Sequence, residues 1–480
     1  MSLNQRPAQA QFSSPIIEAT LRQIAEQISD PALRQLWLNC YPNTLDTTVF
    51  YREDEQGQPD TWVITGDINA LWLRDSSAQV WPYLPFARHD AALAKLIAGL
   101  IRRQARCILL DPYANAFSWP DDFPRPSTVS KIESAQADQS GEWLGDHTTM
   151  LPGVHERKWE LDSLCYPIRL AHGYWQATQD ASVFDANWLA AMRLAVGTML
   201  AQQRKHDAGP YRFTRTTHWQ SDTLPCNGSG NPLQAVGLIA SMFRPSDDAC
   251  ILPFLVPSNL FAVVSLRQLA SLLDIHFPAA LAEENGSEDG DDITLAQRCR
   301  ALADEVETAL HQHAQVQHPK YGTIWAYEVD GYGNALMMDD ANVPSLLSLP
   351  YLDASLANTE IYSNTRRFIL SSDNSWYFHS ADQQLAGVGS PHTLAPRIWP
   401  MSIIMQALTS TDASEIRRCL AMLCASDGGT ALMHESFHPD APSDFTRGWF
   451  AWANTLFGEL ILQLAHQHPA LLAMPAQEAA

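Results

Sequence analysis

Apolar residues recur at three- and four-residue spacing in stripe after stripe along this chain, and almost nowhere at the two-residue alternation that builds a sheet. Ile17, Leu21, Ile24 and Ile28 form one stripe, Leu93, Ile97, Leu100 and Ile108 another, and Leu189, Met192, Val196 and Met199 a third. A 3.6-residue turn gathers such positions on one face, which must then be buried. Residues 258–274 read as a helix capped by Ser258 after Pro257. Thr294 and Gln297 spell a capping box ahead of Leu295, Cys299, Leu302, Val306 and Leu310. Near the end, Trp449, Trp452, Leu456, Leu460 and Leu464 share a helical face. The spacing predicts roughly ten to thirteen helices, with strand signals only at Trp62–Thr65 and Ile324–Tyr327.

Long irregular stretches rich in Pro, Gly, Asp and Trp separate these helices, at 111–130, 205–235, 384–400 and 426–447. Structureless loops of that length in a compact chain usually carry function. Many helices with functional loops at one end point to an all-α toroid or array and away from a doubly wound sheet. The stretch Glu283–Asp292 is acidic and without apolar residues, so it reads as a solvated surface loop. Helical pattern resumes directly after it, and no linker or repeat divides the chain. Residues 1–480 are therefore expected to form a single domain, with 46% hydrophobic residues to fill its core.

Fifty-three acidic residues against 31 basic ones give a formal net charge of −22. A nucleic-acid surface needs clustered Lys and Arg, and none occurs. The same acidity disfavours anionic membranes and polyanionic substrates. None of the eight cysteines falls in a Cys-x-x-Cys pair, so a thiolate zinc site lacks support. No stretch approaches the length of a membrane span, and no basic segment with an apolar core opens the chain. The expected location is the cytoplasm.

Four patches could carry chemistry. In Thr65–Gln79, Trp72, Arg74 and Asp75 stand close together. A carboxylate and a guanidinium pair with vicinal hydroxyls while an indole covers sugar C–H groups. The competing reading is a structural Arg–Asp pair at a helix starting at Asp75 or Ser76. In Phe243–Cys250, Asp247 and Asp248 adjoin beside Arg244. Two neighbouring carboxyls hold a proton at higher pH than one, as a general acid must, although a helix N-cap uses the same residues. Met337–Pro350 places Asp339, Asp340 and Asn342 before an apolar run, either as caps or as hydrogen-bonding groups at a pocket floor. In Met433–Phe445, Glu435 sits in a loop bounded by Gly428, Gly429 and Pro439. His434-Glu435-x-x-His438 also spells a zinc-protease motif, but that motif needs a helix, and Pro439 biases His438 away from one. Gly389–His392 and Asp111–Phe117 read as ordered turns with polar heads. Phosphate loops and serine-nucleophile elbows are absent, so no cofactor is expected.

Taken together, TGDINALWLRDSSAQ, LLDPYANAF, KWELDSLCYPIRL, FRPSDDA, MMDDANVPSLLSLPYL, GSPHT and MHESFHPDAPSDFTRGWFAWANTLFGELI resemble glycoside hydrolase family 125, the metal-independent exo-α-1,6-mannosidases. The blocks keep order from about residue 36 to 462. The resemblance implies an (α/α)6 barrel, no metal, and hydrolysis of terminal α-1,6-linked mannose with inversion. It implies Asp247 as general acid and Glu435 as general base, with Arg74 and Asp75 gripping the terminal mannose. Trp72, Arg244, Asp248, Asn342, His392 and His434 complete the expected substrate-binding set. The partner is expected to be an α-mannoside oligosaccharide or N-glycan fragment. A mannoside-binding protein without catalysis would lack one of the two acids, and both are present. The segment before Phe243 reads VGLIASM where the family carries a Trp-containing stretch, and residues 283–292 read as an insertion.

Overall fold

In the computed structural model, residues 6–121, 123, 147–278, 293–357 and 359–473 are described. The acidic stretch 283–292 lies outside them. Among the described residues, helices alternate along the chain between an inner and an outer ring, an (α/α)6 barrel. The inner ring is Leu73–Val80, Leu161–Thr178, Val256–His276, Leu349–Leu352, Pro400–Leu408 and Ala451–Gln467. The outer ring is Pro31–Cys40, Ala91–Leu110, Ala186–Ala201, Leu295–His313, Glu360–Ile369 and Ala413–Ala425. Leu73–Val80 packs on both Leu161–Thr178 and Ala451–Gln467, which brings the end of the chain back against its beginning.

Side-chain distribution follows this layering. Outer helices bury one stripe, as in Leu295–His313, where Leu295, Cys299, Leu302, Val306 and Leu310 face inward. Inner helices are buried nearly all round. Val256–His276 is the helix among the described residues long and apolar enough to cross a membrane, but 83% of that window is buried in the barrel.

Helix starts divide the same way. Every outer helix opens on a side chain that accepts from its own first turn: Asp30, Asp90, Asp185, Thr294, Thr359 and Asp412. The capping box at Thr294 and Gln297 is formed in both directions. No inner helix has a side-chain cap; the residues before their first turns are Trp72, Glu160, Leu255, Ser348, Trp399 and Phe450. Two expected starts therefore move. The helix assigned to begin at Ser258 begins at Val256, and the one assigned to Asp75 or Ser76 begins at Leu73.

Short turns lead from inner to outer helices, such as 179–185 and 409–412, whereas long segments lead from outer back to inner, such as 202–255, 370–399 and 426–450. The long outer-to-inner segments thus meet, in their described residues, at the uncapped ends of the inner helices. They pair into small ribbons there. Ala70–Trp72, Ala116–Ser118 and Val154–Glu156 form an antiparallel three-stranded sheet. Ser436–His438 pairs with Ala441–Thr446, with a bulge between Phe437 and His438. The two strand signals of the sequence fall on Pro59–Val63 and Gly322–Trp325, each half of a hairpin.

Candidate active site

The uncapped inner-helix ends surround a small, narrow pocket. Its lining unites distant segments: Trp72, Arg74 and Asp75 from the first inner helix and its approach, Ser246 and Asp247, then Asn342, His392, Glu435 and Arg447. Trp399, Phe450 and Trp452 complete an aromatic wall. The rings of Trp399 and Phe450 meet edge to face at 6.0 Å. The guanidinium of Arg447 lies 4.8 Å from the centroid of Phe450. Aromatic faces beside charged hydrogen-bonding groups suit a sugar, which offers C–H faces and hydroxyl edges.

Asp247 is held on a tight loop in place of the N-cap that the sequence also allowed. The Asp247 N–H donates to the Arg244 carbonyl at 2.9 Å and the Arg244 N–H to the Asp248 carbonyl at 2.8 Å. Asp247 takes φ of +67°, a left-handed conformation that costs a non-glycine residue of order 1–3 kcal/mol. The surrounding turn overcomes that cost and aims the side chain into the pocket. Asn115 Nδ2 donates to its Oδ1 at 3.0 Å, and Arg74 Nη2 lies 3.9 Å away.

Arg74 is the central cation. It is buried, with Nη1 donating to Glu160 at 2.6 Å and to Asp162 at 3.0 Å, and Nε 3.5 Å from Asp75. Both readings of the Arg74–Asp75 patch therefore hold at once, because the pair is structural and also lines the pocket. Burial pushes the Asp75 carboxyl up to about 6, against the pull of Arg74. Burial and the charge of Asp247 hold Glu160 well above the ordinary carboxylate range, with Arg74 opposing. Burial acts on Asp247 too, but Lys158 and Arg74 outweigh it and hold that carboxyl below its ordinary value. The raised carboxyl expected at Asp247 thus belongs to its neighbour Glu160.

Glu435 faces a second cation. Arg447 Nη1 stands 3.6 Å from its carboxylate, while Arg447 Nε donates to Asp67 at 2.9 Å and Nη2 to Thr65 at 3.0 Å. Gly66 permits this approach: its φ is +118°, and a Cβ there would sit 2.7 Å from the Trp449 carbonyl oxygen.

Seven of the ten expected site residues line the pocket: Trp72, Arg74, Asp75, Asp247, Asn342, His392 and Glu435. Three stand behind it. Arg244 is buried against Glu328, with Nε donating at 2.6 Å, and so anchors the loop of Asp247. Asp248 lies 3.7 Å from His392 Nδ1. Burial works to lower the His392 imidazole, but the hydrogen bond and charge of Asp248 raise it to about 9. His434 turns away, stacked on Phe445 at 3.6 Å with Nε2 between Thr430 and the Asp427 carbonyl. Burial lowers that imidazole. The zinc-protease motif fails here, since residues 436–438 form a strand and His434 and His438 share no helical face. Among the described residues no cluster of three or more His, Cys, Asp or Glu is arranged to hold a metal ion. Asp339 and Asp340 are structural: Asp339 accepts from Leu346 N at 2.9 Å and Leu347 N at 3.0 Å, and Asp340 accepts from Asn342 and Ser390.

The sequence reading missed Asn115, Lys158, Glu160, Arg447 and the wall of Trp399, Phe450 and Trp452. A larger groove between Glu360–Ile369 and Ala413–Ala425 is lined by Arg366 and Glu415, which pair with each other at 3.0 Å.

Residues 30–462 match the family model described as metal-independent alpha-mannosidase (GH125). The meiotically up-regulated gene 157 protein of Schizosaccharomyces pombe is 42% identical over 479 residues, covering 98% of this chain and 89% of that one. A metal-independent α-mannosidase of Streptococcus pneumoniae, solved in a non-productive complex with α-1,6-mannobiose, is 39% identical with a TM-score of 0.81. That match covers 94% of this chain and 98% of the other. A bacterial glucoamylase complexed with acarbose shares the fold alone, at 10% identity and a TM-score of 0.50, over 94% of this chain and 58% of that one. Helical barrel, carboxylate pocket and aromatic wall define a glycoside hydrolase. The chain belongs to glycoside hydrolase family 125 and is an α-mannosidase.

Proposed function

We propose that this enzyme removes terminal, non-reducing α-1,6-linked mannose with inversion, Asp247 acting as general acid and Glu435 as general base. The observation that carries the reading is that these two carboxyls, 188 positions apart in sequence, line one pocket in different charge environments. Asp247 shares the Asn115 amide with a second carboxyl, that of Glu160, while Glu435 stands beside the Arg447 guanidinium. Asp247 donates a proton to the glycosidic oxygen as the bond to the anomeric carbon breaks. Glu435 takes a proton from the water that attacks the opposite face. Inversion needs room for that water, so the carboxyls of an inverting enzyme stand about 6.5–9.5 Å apart.

Arg74, Asp75, Trp72, Asn342 and His392 supply the hydroxyl partners and the apolar face for the terminal mannose ring. The α-1,6 linkage is the one bound by the Streptococcus pneumoniae relative, a member of a family linked to the processing of N-linked glycans. An α-mannoside from such a glycan is the corresponding substrate here.

The test is hydrolysis of α-1,2-, α-1,3- and α-1,6-mannobiose followed by proton NMR. The expected first product is β-mannose, from the α-1,6 isomer. Initial release of α-mannose would overturn inversion, and equal rates on all three would overturn the linkage assignment. D247N and E435Q should each lose turnover and keep the fold, and undiminished turnover in either removes that residue from its role.

A further inference from the structure

Hydrolysis by two acids leaves one carboxyl of this cluster without a task. Glu160 is fully buried just ahead of the inner helix Leu161–Thr178. Its Oε2 accepts from Arg74 Nη1 at 2.6 Å and from Ser163 Oγ at 2.8 Å. The Asn115 amide spans the two carboxyls, reaching Glu160 Oε1 at 3.4 Å and Asp247 Oδ1 at 3.0 Å. The side chains of Glu160 and Asp247 are thus bridged by one amide nitrogen, with the Arg74 guanidinium beside both. Two carboxylates this close, one of them fully buried, repel when both are ionised, which favours one proton between them.

We propose that Glu160 and Asp247 share one proton, and that Glu160 is the positioning residue that keeps the general acid protonated at neutral pH. The proposal rests on the reading of Asp247 as general acid. Charges around the pair leave little to neutralise it if both members ionise. Arg74 also faces Asp162 and Asp75. Lys158, the other nearby cation, is already paired with Asp222 at 2.8 Å and Glu156 at 3.4 Å. His392 answers Asp248, and the Tyr211 hydroxyl is taken up by Trp159 N and the Arg157 carbonyl, while His155, lowered by its burial, adds no fixed charge nearby. Without its carboxyl neighbour, Asp247 would stand beside Lys158 and Arg74 as an ordinary ionised aspartate.

The proton balance is simple. The shared proton passes through Asp247 to the departing oxygen and leaves the pair doubly ionised. Glu435 meanwhile holds the proton taken from water. Return of that proton to the pair through solvent restores the enzyme, and one water has been consumed.

The test compares E160Q with wild type. Glutamine keeps a hydrogen-bonding head but cannot hold the extra proton. On α-1,6-mannobiose the alkaline limb of kcat/KM should move down by about one to two pH units, the usual size of a like-charge effect between carboxyls. The deficit at neutral pH should shrink on 2,4-dinitrophenyl α-mannoside, whose leaving group departs without protonation. D247N runs alongside. If it keeps activity on mannobiose, the assignment of the general acid fails and the shared proton falls with it. If D247N is impaired on mannobiose and recovers on the dinitrophenyl substrate while the E160Q limb stays in place, the shared proton alone is overturned. S163A is a milder second variant. It deletes a donor to ionised Glu160, so the alkaline limb should move upward, and a limb that stays or falls overturns the proposal even where E160Q does not fold.

Discussion

Replacing Arg74 with methionine tests whether the barrel's uncapped end depends on this one cation. The guanidinium is 2% exposed and touches Glu160 at 2.6 Å and Asp162 at 3.0 Å, both themselves 0% exposed. Methionine fills much of the volume, so the change is mainly one of charge. At an effective dielectric of ~20, two unit charges 3.0 Å apart attract by about 5.5 kcal/mol, from which the desolvation of both must be subtracted. Removing one member of a buried ion pair typically costs about 3–5 kcal/mol, because the survivor stays buried and unpaired. That is a large share of a total stability of ~5–15 kcal/mol. Its pH dependence has a definite sign. Asp75, at about 6 in the folded wild type, already binds protons that the unfolded chain releases near ~3.9. Without Arg74, the carboxyls of Glu160, Asp162 and Asp75 rise further above their unfolded values. The folded state then binds the more protons, and stability falls as pH rises through that window. Urea unfolding of R74M and wild type at pH 5 and pH 8 should show the greater loss at pH 8. A loss below about 1 kcal/mol, or one equal at both pH values, would mean that Arg74 acts by packing and not as a counter-charge.

Three further outcomes are expected. His392 should remain an imidazolium through pH 8 in wild type and titrate at lower pH in D248N, followed by nitrogen-edited NMR; titration of the wild-type ring near the ordinary ~6.5 would refute the pairing. Stability from that pair is complete below ~6.5 and is lost as pH rises through about 9. G66A should lose about 1–3 kcal/mol in urea unfolding and lower kcat, because a Cβ at φ +118° meets the Trp449 carbonyl and disturbs the Asp67–Arg447 pair behind Glu435; unchanged stability would show that the loop yields freely. Prolonged EDTA treatment should leave mannosidase activity unchanged, and loss restored by zinc would contradict the carboxylate mechanism.

What the sequence reveals depends on which end of the barrel a residue occupies. Outer helices start in solvent and are closed by Asp or Thr, so Thr294 with Gln297 marks a boundary that the fold reproduces. Inner helices start at the pocket, where a self-capping side chain would occupy the space of a ligand. Four of the six first turns follow Trp72, Leu255, Trp399 and Phe450, and a reading that looks for a capping oxygen places two of the starts late, at Asp75 and Ser258. The same difference governs the site. Clustered polar letters identify a loop near the pocket but not the depth of each side chain. Asp247 therefore reaches the cavity while adjacent Arg244 and Asp248 support it from behind, and Glu435 reaches it while His434 stacks on Phe445. Glu160 sits in KWELDSL, where an acid before an apolar run resembles any ordinary helix start. Arg447 is a lone basic residue whose partner Asp67 lies 380 positions away. Charge balance in this pocket is a property of the closed ring. The acids are legible because they stand in local motifs, whereas the groups that set their charge come from distant segments: Arg74 and Lys158 for Asp247, and, when the last inner helix returns to the first, Arg447 held by Asp67 for Glu435.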